Sequence, residues 1–158
     1  MKITSKNGNE LNFLETGVDG IYILDHAAFK EKFDEGGNNG WEKSSGKKKL
    51  QKWAEKNLTK EILEQFDIDI PTVEEVFSQK MLNLYESSRN LKSRQFPIFQ
   101  NSDNRMMELD GKPMWWWTRS AYADSAYGVW TVYPGGGMHY YGAYHAYGFV
   151  PVLRRKTK

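Results

Sequence analysis

Across residues 113–153 the only Asp, Glu, Lys or Arg side chains are Arg119 and Asp124, while 12 of the 35 residues from Trp115 to Phe149 are aromatic. Nearly all the remaining charge falls in the first 112 residues and the last five. The chain therefore has a charged, helix-rich first part and an aromatic, glycine-rich last part. No Pro/Ser linker separates them, so residues 1–158 read as one domain with two halves. A chain of 158 residues buries roughly 70% of the surface its unfolded form exposes, enough to fold without a staple.

The two parts carry different periodicities. Ile3, Leu11, Phe13, Val18 and Ile21–Leu24 read as short strands, broken by Asn7-Gly8-Asn9 and Asp19-Gly20; such pairs supply the positive φ angles of tight turns. Gly36-Gly37-Asn38-Asn39-Gly40 reads as a loop. Leu50, Trp53, Ala54 and Leu58 form a helical stripe within 47–66, with Asn57-Leu58-Thr59 as a break and Thr59 capping a continuation to Phe66. Thr72-Val73-Glu74-Glu75 fits a capping box, and Val73, Val76, Phe77, Lys80, Met81 and Leu84 extend that helix over 72–85. Strands return at 106–109 and 113–117 around Asp110-Gly111, and at 129–133 and 138–141 around Pro134-Gly135-Gly136-Gly137. Phe149–Leu153 reads as a last strand, with Pro151 at an edge or bulge. Trp115, Trp117 and Trp130 alternate on these strands and are expected in the core.

Composition excludes much chemistry. With no cysteine there is no disulfide, thiol nucleophile or thiolate metal site. The net charge of +2 demands neither nucleic acid nor an anionic membrane. No stretch approaches the ~20 apolar residues of a membrane helix, and Met1–Gly8 carries no targeting signal, so the product is expected to be cytoplasmic where made. His139 and His145 have only Asp124 nearby as a carboxylate, short of a zinc or calcium ligand set. The glycine run at 135–137 lies between strands with no Lys after it, a hairpin turn rather than a phosphate cradle. No G-x-S-x-G occurs, and no carboxylate pair lies in the aromatic half. The chain is thus expected to be no enzyme, with no cofactor and no metal.

Trp115-Trp116-Trp117-Thr118-Arg119-Ser120, then Val129–Val132, a glycine-rich turn, and Gly148-Phe149-Val150-Pro151-Val152-Leu153 resemble the ending W-W-L-R-S … G-V-R-P-A-L of bacterial and phage families of domains of unknown function. Those domains are related to the C-type-lectin-like fold, in the branch of the formylglycine-generating enzyme. Gly40-Trp41-Glu42-Lys43-Ser44-Ser45 resembles the family's W-E-x-S segment, and Ile70–Glu75 its P-x-x-E-E helix start. The resemblance spans roughly residues 20–154. It implies an α+β, C-type-lectin-like fold, with two or three helices on a small, twisted, mostly antiparallel sheet and long aromatic, Gly-rich loops. Val150 stands where the family has Arg, the enzyme's cysteines are missing, and no Glu-Pro-Asn or Gln-Pro-Asp calcium loop occurs.

Seven of the nine tyrosines lie between 122 and 147, among Gly, Ala, Ser, Asp and His. Tyrosine offers rigid contact area with a polar tip at low entropic cost, the palette of a binding surface. Tyr122, Asp124, Tyr127, Tyr133, His139, Tyr141, Tyr144 and His145 are the expected ligand-binding residues. The expected function is non-catalytic binding of a glycan or protein through the 120–147 loops. A homo-oligomer, or a receptor-binding or accessory role in a phage particle, would suit such a domain. The alternative uses Lys48, Lys52, Lys56 and Lys60, spaced four apart, with Lys47, Lys49 and Arg154-Arg155-Lys156. That stripe would serve a nucleic-acid or acidic-protein binder, for example a phage-encoded inhibitor of a host protein. Glu55, Glu61 and Glu64 dilute it, so nucleic acid is the lesser expectation.

Overall fold

The turn residues close where they stand in the sequence. The computed structural model describes residues 1–38 and 40–157, so Asn39 of the expected Gly36–Gly40 loop lies outside the described residues. β1 (Lys2–Thr4), β2 (Glu10–Glu15) and β3 (Ile21–Leu24) are antiparallel neighbours. Gly8 (φ 86°) and Gly20 (φ 77°) take the left-handed conformation between them. β6 (Met107–Leu109) and β7 (Lys112–Met114) pair around Asp110 and Gly111, whose φ angles of 53° and 77° are the two positive values of a type I′ hairpin.

Two five-stranded sheets carry the fold, where a single small sheet was expected. The first has the order β1-β2-β3-β12-β5, with β5 at Phe66–Asp69 and β12 at Val152–Arg155. The second is β10-β9-β8-β11-β4, built from β4 (Phe29–Lys32), β8 (Trp116–Ala121), β9 (Gly128–Val132), β10 (Met138–Gly142) and β11 (Ala146–Phe149). All pairings are antiparallel except β8 with β11, in register at Trp116 and Gly148. The expected hairpin over 129–141 forms, with Val129 opposite Tyr141 and Val132 opposite Met138. The Phe149–Leu153 run is not one strand. It leaves the second sheet after Phe149 and enters the first at Val152. Pro151, lacking an N–H, sits at that crossing, and its carbonyl accepts from Leu24 N at 3.0 Å.

The helices are α1 (Ser45–Asn57), α2 (Lys60–Gln65), α3 (Val73–Val76) and α4 (Gln79–Leu82). Ser44 caps α1, its hydroxyl accepting from Lys47 N at 3.0 Å. The break at Leu58 is as read. The 72–85 helix is not: the capping box forms, Glu75 N donating to Thr72 Oγ1 and Thr72 N to Glu75 Oε1, but α3 stops after four residues. The Gln95 side chain donates to Val76 O and Ser93 Oγ to Phe77 O, and Ser78 starts α4 by accepting from Met81 N. Carbonyls that would have continued the helix are thus engaged from elsewhere in the chain. Among the described residues no helix is long and apolar enough to cross a membrane.

Trp116, Trp130, Val132 and Val150 pack with Val73, Val76 and Phe77 on one side of the second sheet. Trp117, Val129 and Phe149 pack on its other side with Phe33, Trp41 and Leu50. Buried indole N–H groups find carbonyls: Trp116 donates to Arg105 O at 3.0 Å and Trp117 to Glu31 O at 3.1 Å. Arg154 on β12 ties the two halves together. Its guanidinium forks onto Glu75 (2.7 Å, twice) and its Nε reaches Asp69 at 3.0 Å. Arg119 of β8 approaches the same Asp69 at 3.7 Å.

Burial pulls the Glu75 carboxyl upward, but Arg154 and the Thr72 amide outweigh it and hold the group below its ordinary value. For Asp69 burial wins over Arg154 and Arg119, and the carboxyl is raised. Glu75 therefore contributes stability that is complete above the ordinary carboxylate range and lost as pH falls through its folded value, whereas Asp69 acts in the opposite sense. Arg154→Ala strands Glu75 without its counter-charge and is expected to cost about 3–5 kcal/mol in urea unfolding. Lys recovers only a part, because an ammonium has no fork. A loss below about 1 kcal/mol would show the network to be no more than a surface pair.

Candidate functional site

Successive side chains of a strand face opposite ways, and β10 sorts its rings accordingly. Met138 and Tyr140 turn toward Trp130 and the core. His139 and Tyr141 turn to the other face, where they stack with ring centroids 5.1 Å apart. β11 adds Tyr147, 5.6 Å from Tyr141. Trp115, just before β8, stands among them: 4.9 Å from Tyr141 edge-on, and stacked at 5.7 Å on Tyr147. His145 stacks on Tyr147 at 5.6 Å, and Tyr144 leans on His145 at 4.6 Å. Tyr133 closes the other end, 5.7 Å from Trp115. Offset and edge-on arrangements at these spacings are the favourable ones for aromatic rings.

Glycines let the outer rings lie on the backbone. A Cβ at Gly137 would stand 2.0 Å from the Tyr133 ring, and one at Gly142 would stand 2.5 Å from the Tyr144 ring. Both tyrosines stay largely exposed, at 42% and 57%. Tyr127, His139, Tyr141, Tyr144 and His145 line one open cleft of about 480 Å³. Among the described residues, the hydroxyls of Tyr133, Tyr141, Tyr144 and Tyr147 have no hydrogen-bond partner. Burial, and then the neighbouring Tyr141, push the Tyr147 hydroxyl up, so it remains protonated at neutral pH. The result is a wall of ring faces and hydroxyls with no ion pair in it among the described residues.

Most of the expected ligand-binding residues come together here, His139 and Tyr141 from β10 and Tyr127, Tyr133, Tyr144 and His145 from the turns that flank β9 and β10. Tyr122 does not join them. It lies on the opposite face, stacked on Tyr140 at 3.8 Å and edge-on to Trp130 at 5.0 Å. Asp124 is exposed in the turn between β8 and β9 and does not line the cleft. Trp115, expected in the core, is half-buried at the centre of the ring cluster. It does share a face with Trp117, as alternation requires, but only the Trp117 end is covered by Phe33 and Trp41. Among the described residues no three His, Cys, Asp or Glu side chains gather as a metal-holding group.

Residues 19–154 match the model of a family described as a domain of unknown function, DUF6273. The chain belongs to that family. No curated protein and no solved structure matches it. The DUF6273 span takes in the whole second sheet and every residue of the cleft, and leaves β1 and β2 outside.

The lysine stripe of this DUF6273 chain is shorter in space than in sequence. Lys48, Lys52 and Lys56 are exposed on α1. Lys47 pairs with Glu42, Lys49 with Glu31 and Glu35, and Lys60, on α2, with Glu64. Arg154 is committed to Asp69 and Glu75. Stability separates surface rings from core rings: Tyr127→Ala and Tyr144→Ala are expected to change the unfolding free energy by no more than about 0.5 kcal/mol. Trp117→Ala should cost about 3–5 kcal/mol. Comparable losses at all three positions would place the tyrosines in the core.

Proposed function

We propose that the protein is a non-catalytic binding module of C-type-lectin-like architecture that takes a neutral glycan on the aromatic cleft. The observation that carries this is the ring cluster from Tyr133 through Trp115 and Tyr141 to Tyr144, with its tyrosine hydroxyls unengaged. Sugar rings present C–H faces that pack on aromatic planes and hydroxyls that need partners, and this surface offers both. Exposed contiguous aromatic area of this kind marks interaction sites. Neutrality fits as well, since the stretch from Pro113 to Leu153 holds only Arg119 and Asp124 as charged residues, and Arg119 turns to Asp69. The absence of a carboxylate pair from the cleft-lining residues agrees with binding without hydrolysis.

A glycan array probed at physiological salt tests the reading. The protein should retain a neutral glycan, and Tyr141→Ala or Trp115→Ala should each weaken that binding about tenfold or more, with little dependence on salt. Capture of a host protein in a Tyr141-dependent manner, with no glycan retained, would replace the sugar by a protein partner. Binding that collapses with salt and follows Lys48, Lys52 and Lys56 would move the function to α1.

A further inference from the structure

β5 is the last strand of the first sheet, and its outer edge is unpaired. The register fixes which backbone groups that edge presents. Lys156 N donates to Gln65 O at 2.8 Å, and Leu24 N and Arg155 N are bonded across the β3 side to Pro151 O and Gly20 O. Antiparallel ladders alternate, so Gln65, Asp67 and Asp69 bond toward β12, while Phe66 and Ile68 point their N–H and C=O groups outward. Phe66 N is taken by Ile62 O. Phe66 O and both backbone groups of Ile68 are left without partners among the described residues.

That edge opens on a groove of about 570 Å³, walled on the far side by α1 through Leu50, Gln51 and Ala54. All of Phe66–Asp69 lines it. Alternate residues of a strand face opposite sides of the sheet, so a groove touched by four in succession meets the strand edge-on. Of the charged residues lining it, Lys47 pairs with Glu42, Asp69 with Arg154, and Lys156 Nζ donates to Leu63 O at 3.0 Å, whereas Glu55 and Asp67 have no ion pair among the described residues.

We infer that this groove is a second binding site, separate from the aromatic cleft, that takes an extended peptide segment carrying basic side chains. The segment adds to β5 as a further strand. Its backbone bonds Ile68 and Phe66, its apolar side chains face α1, and its Lys or Arg residues meet Glu55 and Asp67. Backbone pairing provides affinity, and alternate side chains provide selection. The unpaired Phe66 O and the N–H and C=O of Ile68 are the edge groups open to such pairing.

The probe is the capped hexapeptide Lys-Val-Lys-Val-Lys-Val, titrated into isotope-labelled protein and followed by amide shifts and hydrogen exchange. The Ile68 amide should shift, and its exchange should slow about tenfold at saturation. The Glu-Val counterpart should leave it unchanged, and a Glu55→Lys, Asp67→Lys variant with unaltered circular dichroism should lose the response. Equal effects of the two peptides, or shifts confined to the Tyr141 region, would overturn the assignment. So would an Ile68 amide already protected without peptide in a species of twice the mass, since a second copy would then occupy the edge.

Discussion

One guanidinium holds the frame on which everything else is hung. Arg154 lies on β12, between β3 and β5, and forks onto Glu75 at the start of α3 while its Nε reaches Asp69 on β5. Glu75 serves twice, since the same carboxylate closes the capping box on Thr72. Asp69 also faces Arg119 of β8, so the second sheet is drawn to the first through one shared carboxylate. Such a network specifies position more than it adds stability, because each charge tolerates burial only where its partners stand. Val150 is fully buried among apolar side chains. The tie in this chain comes from Arg154, four residues further on.

With the sheets fixed, strand alternation distributes the aromatic residues. Trp116, Trp130 and Val132 face α3 and α4, whereas Trp117, Val129 and Phe149 face α1 and Trp41. The cover supplied by α1 and Trp41 does not extend over β10, and there the same face continues as His139 and Tyr141, with Tyr147 of β11 beside them. The candidate site is thus the uncovered end of a core face. Its central rings, His139, Tyr141 and Tyr147, are held on paired strands, which limits the entropy lost when a ligand orders them.

Local signals in the sequence were legible, and distant ones were not. The Asp110-Gly111 turn, the Thr72–Glu75 capping box, the break at Leu58 and the 129–141 hairpin each depend on a few adjacent residues, and each forms. The end of α3 depends on Gln95 and Ser93, which lie 19 and 16 residues from the carbonyls they bind; no periodicity over 72–85 contains that information. Pro151 was visible as an edge or bulge within one strand, but not as a change of sheet. For the candidate site, tyrosine density pointed to the 122–147 segment, where β10 turns His139 and Tyr141 to one face and Tyr140 to the other. Trp115 was misplaced because which part of a sheet face is covered is decided by α1 and Trp41, far off in sequence, and Tyr122 because it turns to the opposite face, onto Tyr140 and Trp130.

The proposed contact surface is the ring cluster around Trp115, not the buried core beneath it. Trp115 is half-exposed, whereas Trp116, Trp117 and Trp130 are buried. Titrating wild type and Trp115→Phe with a glycan retained on the array, while following tryptophan emission, tests this most directly. An emission change is expected in the wild type and is expected to disappear in Trp115→Phe, although the ring-preserving variant still binds. An unchanged signal in that variant would place the ligand away from the ring cluster and overturn the proposed contact surface.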